Sequence, residues 1–259
     1  MVEYTFSLDN FEIFLLVLVR VSCFVYIAPF YGMTNVPARV KIGLSVFISI
    51  LIIGFVDTTQ LEYTGIIGYA VIVLKEGITG LLIGLAANIC NSIILFAGNI
   101  IDMDIGLSMA TEFDPVNNTQ VTITGNLYSY FILLLLVVSD MHHFILNAFI
   151  DAFSVIPING QVFDWNHLLA SITQYMGDFF VIAFRIILPV FACIMILNCI
   201  LGIMAKVSPQ MNMFAVGMQM KILVGLVVLF LTVMLLPSIA NMVFKEMKKL
   251  MVLFIEGMY

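Results

Sequence analysis

Apolar and polar positions segregate along this chain into six long hydrophobic blocks, at residues 11–30, 40–56, 65–101, 121–156, 168–204 and 213–243. The breaks between them, at 31–39, 57–64, 102–120, 157–167 and 206–212, collect Pro, Asn, Asp and Thr, residues that punctuate regular structure. No two-residue alternation persists over enough segments for a membrane barrel, so the pattern predicts an all-α, polytopic membrane-type fold. The first two blocks have the length of ordinary single helices. Block 65–101 as one helix would extend roughly 55 Å against a hydrocarbon core of about 30 Å, and blocks 121–156 and 168–204 overshoot similarly. Each is expected to be a tight hairpin, a bent helix, or a helix buried in other protein. Pro189 is a candidate bend, because an interior proline removes a backbone hydrogen bond and clashes with the preceding turn. Ser139-Asp140 is a candidate opening of the fourth block.

The stretch 242–259 is patterned differently. Val243, Met247, Leu250, Met251, Phe254 and Ile255 share one helical face, with Lys245, Glu246, Lys248 and Lys249 opposite. An amphipathic C-terminal helix is expected, lying on the membrane surface or binding a partner. No internal repeat or low-complexity tract interrupts the chain, and the whole of 1–259 reads as a single domain.

Composition strengthens the membrane reading. Of 259 residues, 63% are hydrophobic and 10% charged, where soluble domains carry about 25% charged. Mean hydropathy is +1.15. The N-terminus carries Glu3 and Asp9 in place of a basic region, and no small-residue cleavage pattern follows, so the first segment is expected to be retained. The net charge of −6 reflects scarce Lys and Arg, which argues against a nucleic-acid partner. Loop charges leave orientation open. Arg39 and Lys41 mark the first break as cytoplasmic, Asp57 and Glu62 the second as external, and Lys245, Lys248 and Lys249 the C-terminus as cytoplasmic. Six simple spans cannot satisfy all three.

Candidate chemistry is sparse. Cys23, Cys90, Cys193 and Cys199 lie inside apolar runs without C-x-x-C spacing and read as small buried hydrophobes. Gly77, Gly80, Gly84, Asn88, Asn91, Gly98 and Asp102 recur every three to four residues as a narrow stripe, interrupted only by bulky Leu95. That stripe suits close helix packing, with a water-lined path at its Asn–Asp end as the alternative. Lys75-Glu76, Arg20 and Arg185 are charges inside apolar blocks, each needing a partner, water or an interface, and Asp178 is a candidate partner for Arg185. Their scattered placement favours assembly contacts over a proton relay. His143, Asn147 and Asp151 fall at i, i+4 and i+8, but no characteristic third ligand follows, and adjacent His142 and His143 are expected to point apart. No metal, cofactor or catalytic residue is therefore assigned. The 17 methionines suit packing of irregular gaps or a soft seal around a mobile peptide.

The most distinctive segment is 102–115, where Asp102, Asp104, Glu112 and Asp114 stand between two apolar blocks and Pro115 closes the run. So polar a stretch must reach water, a partner or a pore.

These residues together resemble a known family. Arg20 with Ala28-Pro29, then Val36-Pro37-Ala38-Arg39-Val40-Lys41-Ile42-Gly43-Leu44, is similar to the opening of the FliR family, subunits of the type III protein-export gate. The run from Gly77 through Gly84 to Ala97-Gly98 is similar too, as is Gly106-Leu107-Ser108-Met109-Ala110-Thr111 with Asp114-Pro115. His143, Asp151-Ala152-Phe153 and Ile156-Pro157 resemble its central signature. Asn198-Cys199-Ile200-Leu201-Gly202, Pro209-Gln210-Met211-Asn212-Met213-Phe214, Gly217 and Gly225 resemble its C-terminal one. The resemblance implies a non-enzymatic gate subunit in the bacterial inner membrane, at the flagellar basal body. Its implied partners are FliP-like, FliQ-like and FlhB-like subunits, unfolded flagellar export substrates and membrane lipid. A gate standing partly above the membrane plane would account for over-long helices and unresolved orientation. The family's plug loop corresponds to 106–118, which makes Met109, Phe113, Asp114 and Pro115 the candidate plug residues. The chain departs from the family pattern with Glu112 in place of an aromatic and Val116 in place of glycine, which puts aromatic plugging on Phe113 alone. An injectisome gate subunit of the same family is the near alternative. An ion-coupled transporter using Lys75, Glu76, Asp102 and Arg185, or a metalloenzyme using His142 and His143, are the distant ones.

Overall fold

A computed structural model describes residues 8–33, 35–54, 63, 65–110, 113–114, 119–120, 122–208, 210 and 212–259. The all-α expectation holds. Nine α-helices are found among these residues: α1 (Leu8–Ile27), α2 (Ala38–Ile52), α3 (Gly65–Ile89), α4 (Asn91–Ile105), α5 (Ile123–Val138), α6 (Met141–Val155), α7 (Trp165–Val207), α8 (Met213–Thr232) and α9 (Leu236–Glu256). The only sheet among them is a two-residue antiparallel ladder, β1 (Phe113–Asp114) with β2 (Thr119–Gln120), pairing Phe113 with Gln120 and Asp114 with Thr119. The chain forms two compact units. One comprises Met1–Ile89, Asp140–Tyr175 and Glu246–Tyr259, the other Cys90–Ser139 and Met176–Lys245.

The over-long blocks resolve in different ways. Block 65–101 is split at Cys90, where neither Pro nor Gly stands. The Tyr175 hydroxyl donates to the Ile89 carbonyl at 2.8 Å, while Ile93 N–H bonds three residues back to Cys90 O at 3.3 Å. A side chain inserted at a helix carbonyl is a recognised cause of such a break. Block 121–156 opens at Ser139-Asp140, as expected, with Asp140 in the left-handed region at φ 55°. Block 168–204 does not form a hairpin: α7 runs for 43 residues with Pro189 inside it. Among the described residues, three helical stretches are long and apolar enough to cross a membrane: Gly65–Ile105, Trp165–Val207 and Phe214–Glu256, the last including a 3₁₀ turn at Val233–Leu235. Each exceeds 40 residues, so the excess over one bilayer thickness remains.

Large apolar side chains face outward along these helices; Phe230 is 78% and Met234 90% exposed. Such surfaces need hydrocarbon or partner helices, which makes this a membrane protein. The C-terminal helix departs from expectation. Val243, Met247, Leu250, Met251 and Phe254 are buried within the chain itself, while Ile255 is half-buried and Val252 exposed. Lys248 sits over the Phe144 ring at 4.3 Å, and Met258 O and Gly257 O accept from Val162 N and Asp164 N at 3.1 and 3.0 Å. The cysteines also divide: Cys90 is buried, Cys23 and Cys193 half-buried, and Cys199 exposed on the apolar outer face of α7.

Candidate functional site

Two polar constructions stand out inside this apolar scaffold, one in each unit. In the first, Arg20 of α1 meets Glu76 of α3. The guanidinium Nε lies 2.5 Å from Glu76 Oε2, and both side chains are fully buried. Arg20 Nη1 donates to Ile156 O at 2.8 Å, and its guanidinium stacks 4.4 Å from the Phe153 ring centroid. Glu76 Oε1 accepts from Asn159 N at 3.0 Å and from Gln161 Nε2 at 2.6 Å. Asn159 holds a left-handed backbone at φ 62°, which turns its N–H toward the carboxylate. Phe24 and Phe149 stack beside the pair, with centroids 4.0 Å apart. A buried ion pair survives desolvation only when further hydrogen bonds satisfy both ions. Here three protein groups, all from the segment after α6, add hydrogen bonds to the two ions. Arg20 Nη2 and Gln161 Oε1 have no hydrogen-bond partner among the described residues.

Glycines permit this approach. A Cβ on Gly80 would fall 2.2 Å from Arg20 O, and one on Gly84 3.1 Å from Phe24 O. Gly77 is in ordinary contact with Cys23 and Val19. Lys75 is half-buried, and its carbonyl accepts from the Thr79 hydroxyl at 2.9 Å. Arg185 is exposed, with Nη1 4.0 Å from the Met242 sulfur.

In the second unit, Asp102 is buried near the end of α4 and caps α5 from outside it. Its carboxylate accepts from Thr124 N at 3.0 Å and from the Thr124 hydroxyl. The N-cap residue of α5, Thr122, makes no side-chain cap bond of its own. A carboxylate at a helix N-terminus meets both unsatisfied N–H groups and the favourable end of the dipole. Gly98 touches Gly125 so closely that a Cβ would sit 2.1 Å from its Cα. Half-buried Asn91 accepts from Ser129 at 3.4 Å, and Asn88 is also half-buried. Gly106 ends α4 at φ 94°, its N–H returning to Asp102 O at 3.1 Å. The chain then makes a 3₁₀ turn, Leu107–Ala110, and the β1–β2 ladder before re-entering α5. The segment 106–122 is thus an excursion whose two ends are held together by Asp102 and Thr124. Met109, Phe113 and Asp114 lie on it; Pro115 lies outside the described residues. Asp102→Ala should remove about 2 kcal/mol of stability. Asp102→Asn should lose less, with faster amide exchange at the start of α5 as the check.

Other family-like positions scatter. Pro37 is the N-cap of α2 at φ −57°, and Arg39 is exposed on the first turn. Asn198 lines a cavity of about 350 Å³ with Asp104, Leu201, Phe214 and Lys221. Gly202 is exposed on α7, Gln210 stands in a turn, and Pro209 lies outside the described residues. Asn212 caps α8 by accepting from Ala215 N at 3.4 Å.

The histidines differ from expectation. His142 and His143 do not point apart; their centroids lie 4.0 Å from each other, and His143 Nδ1 is 3.3 Å from Asp140 Oδ1. The left-handed Asp140 folds its side chain back over the first turn of α6. The grouping is Asp140, His142 and His143, not His143 with Asn147 and Asp151. Exposed groups of this kind are common without a metal. The sequence reading missed that Arg20 and Glu76 are each other's partner, and missed Asn159 and Gln161 entirely. The available signal was that two opposite charges lay deep in the first and third apolar blocks. Of the residues named for the transporter alternative, Glu76 and Asp102 are buried and hydrogen-bonded, Lys75 is half-buried and Arg185 exposed.

Known proteins are similar to this sequence over most of its length. The sequence profile described as "Bacterial export proteins, family 1" matches residues 11–247. The chain is 30% identical over 240 residues to the flagellar biosynthetic protein FliR of Bacillus subtilis (strain 168), covering 92% of each. It is 26% identical to the protein of that name from Pectobacterium carotovorum subsp. carotovorum, over 88% of this chain and 87% of the relative. It is 25% identical to that of Escherichia coli (strain K12), over 90% and 89%.

Proposed function

We infer that this chain, which belongs to the bacterial export proteins of family 1, works as a subunit of the flagellar protein-export apparatus. The carrying observation is the breadth of the likeness: one family profile spans 11–247, and the FliR relatives align over nearly their full lengths. In this reading the chain acts as one non-enzymatic gate domain in the inner membrane, at the flagellar basal body. FliP-like, FliQ-like and FlhB-like subunits cover its exposed apolar helices, and unfolded flagellar proteins pass through the gate so formed. Lys75 and Arg185 serve assembly contacts, while the glycine stripe and Glu76 serve packing.

The excursion between α4 and α5 plugs the closed channel. Support comes from its construction: both ends are clamped at Asp102–Thr124 and Gly98–Gly125, so the intervening loop can be displaced without separating α4 from α5. The acidic residues and the Met109 and Phe113 positions then lie on the moving part. Deleting 109–116 should leave the apparatus assembled but leaky. Conductance of the purified complex in planar bilayers checks this, and an unchanged closed-state conductance defeats the plug reading. Loss of swarming with unchanged conductance would place the loop in substrate handling instead.

A further inference from the structure

Between α1 and α2 lies a half-open groove of about 830 Å³, within the range of ligand-sized cavities. Leu18, Ser22 and Tyr26 form one wall, and Ile42, Ser45 and Val46 the other. The two serines do not make it polar. Ser22 Oγ donates to Val19 O at 3.0 Å and Ser45 Oγ to Lys41 O at 2.8 Å, so each hydroxyl is tied to its own helix. What remains is an apolar trough flanked by exposed Tyr26 and Ile42.

One end of the trough is cationic. Lys41 lines it, held by a 2.9 Å bond from Nζ to Gly32 O and by the Tyr26 ring 5.3 Å away. An ammonium has three donors, and this bond uses one of them. Exposed Arg39, two residues earlier, faces away from the trough but adds positive charge close by. An apolar trough ending in fixed positive charge matches an amphiphile with an anionic head, and basic pockets between membrane helices are known to hold such headgroups.

We propose that this groove binds one anionic phospholipid, its acyl chain along α1 and α2 and its phosphate against Lys41, with the nearby Arg39 charge adding attraction at longer range. The inference requires only that the chain is membrane-embedded, and stands or falls apart from the plug.

The test is native mass spectrometry of the delipidated full chain in mild detergent, titrated with phosphatidylglycerol or phosphatidylcholine of identical acyl chains. One phosphatidylglycerol per chain should bind at concentrations at least about tenfold below phosphatidylcholine. Combined Arg39→Ala and Lys41→Ala should weaken phosphatidylglycerol by roughly thirtyfold and abolish the preference. Val46→Trp, which fills the trough and keeps both charges, should lower uptake of both lipids. Equal uptake of the two lipids by the unaltered chain overturns the proposal, as does a Val46→Trp variant that binds normally. Displacement by inorganic phosphate alone would reduce the site to a headgroup contact and overturn the acyl assignment. A photo-crosslinker at Ile42 that traps another protein stoichiometrically in cells would make the groove a subunit interface, and would overturn the proposal as well. Should the double variant lose helicity, lipid preference in the unaltered chain and the Val46→Trp result still decide.

Discussion

Replacing Arg20 by leucine while Glu76 remains is expected to cost about 3–5 kcal/mol, the range for stripping one partner from a buried ion pair. The carboxylate would stay fully buried and keep only Asn159 N–H and Gln161 Nε2 as donors. Glu76→Gln should be comparably damaging, because its N–H₂ must face either the Arg20 Nε–H or the Asn159 and Gln161 donors. Arg20→Lys should fall between these and the native chain. A lysine keeps charge but cannot both reach Glu76 and donate to Ile156 O, and it forfeits the planar stacking on Phe153. Combining Arg20→Leu with Glu76→Gln should restore part of the loss, so the pair should be strongly non-additive. Thermal unfolding in detergent, read by size-exclusion of the surviving fraction, provides the four corners of that cycle. Additive losses below about 1 kcal/mol each would mean the pair behaves like a solvent-screened surface bridge, and a buried, mutually dependent pair would be ruled out.

Gly80→Ala should be the next most damaging change, and it tests a different force. The added methyl would meet the Arg20 carbonyl at 2.2 Å, and the obstacle is backbone, which cannot swing aside as a side chain can. Helix α1 must move away from α3, loosening the contacts that hold Arg20 against Glu76. Overpacking of this kind costs typically 1–3 kcal/mol, and here the upper end is expected because the ion pair is loosened as well. Gly98→Ala should behave alike through Gly125. Gly43→Ala is the control: nothing lies within 4 Å of its Cβ position on exposed helix α2, and alanine has the better helix propensity. That variant should be neutral or slightly stabilised. Equal tolerance of all three substitutions in the same unfolding assay would show that no close backbone approach exists at Gly80 or Gly98.

The glycine stripe shows how far a linear pattern carries. Its three-to-four-residue recurrence marks a narrow face, and Gly77, Gly80, Gly84 and Gly98 are all buried. Recurrence cannot say which helix the face meets, since any helix offering a smooth surface would fit. Cys90 marks the opposite case. Its neighbours contain no helix breaker, and the split of block 65–101 is associated with a tyrosine 85 residues further on, whose hydroxyl occupies a carbonyl of the helix. Long-range insertion of that sort leaves no local trace.

What the chain determines by its sequence alone is the membrane class, the helical fold, most helix boundaries and the family, because each depends on composition, periodicity or the order of short signatures. The pairing of charges belongs to the tertiary structure. Arg20 meets Glu76 across 56 residues, and Asp102 caps a helix starting 21 residues later, contacts that depend on which helices approach and at what depth. The fate of the C-terminal helix was decided there too. Amphipathicity required only that one face leave water, and the packed chain buries Val243, Met247, Leu250, Met251 and Phe254 of that face against itself.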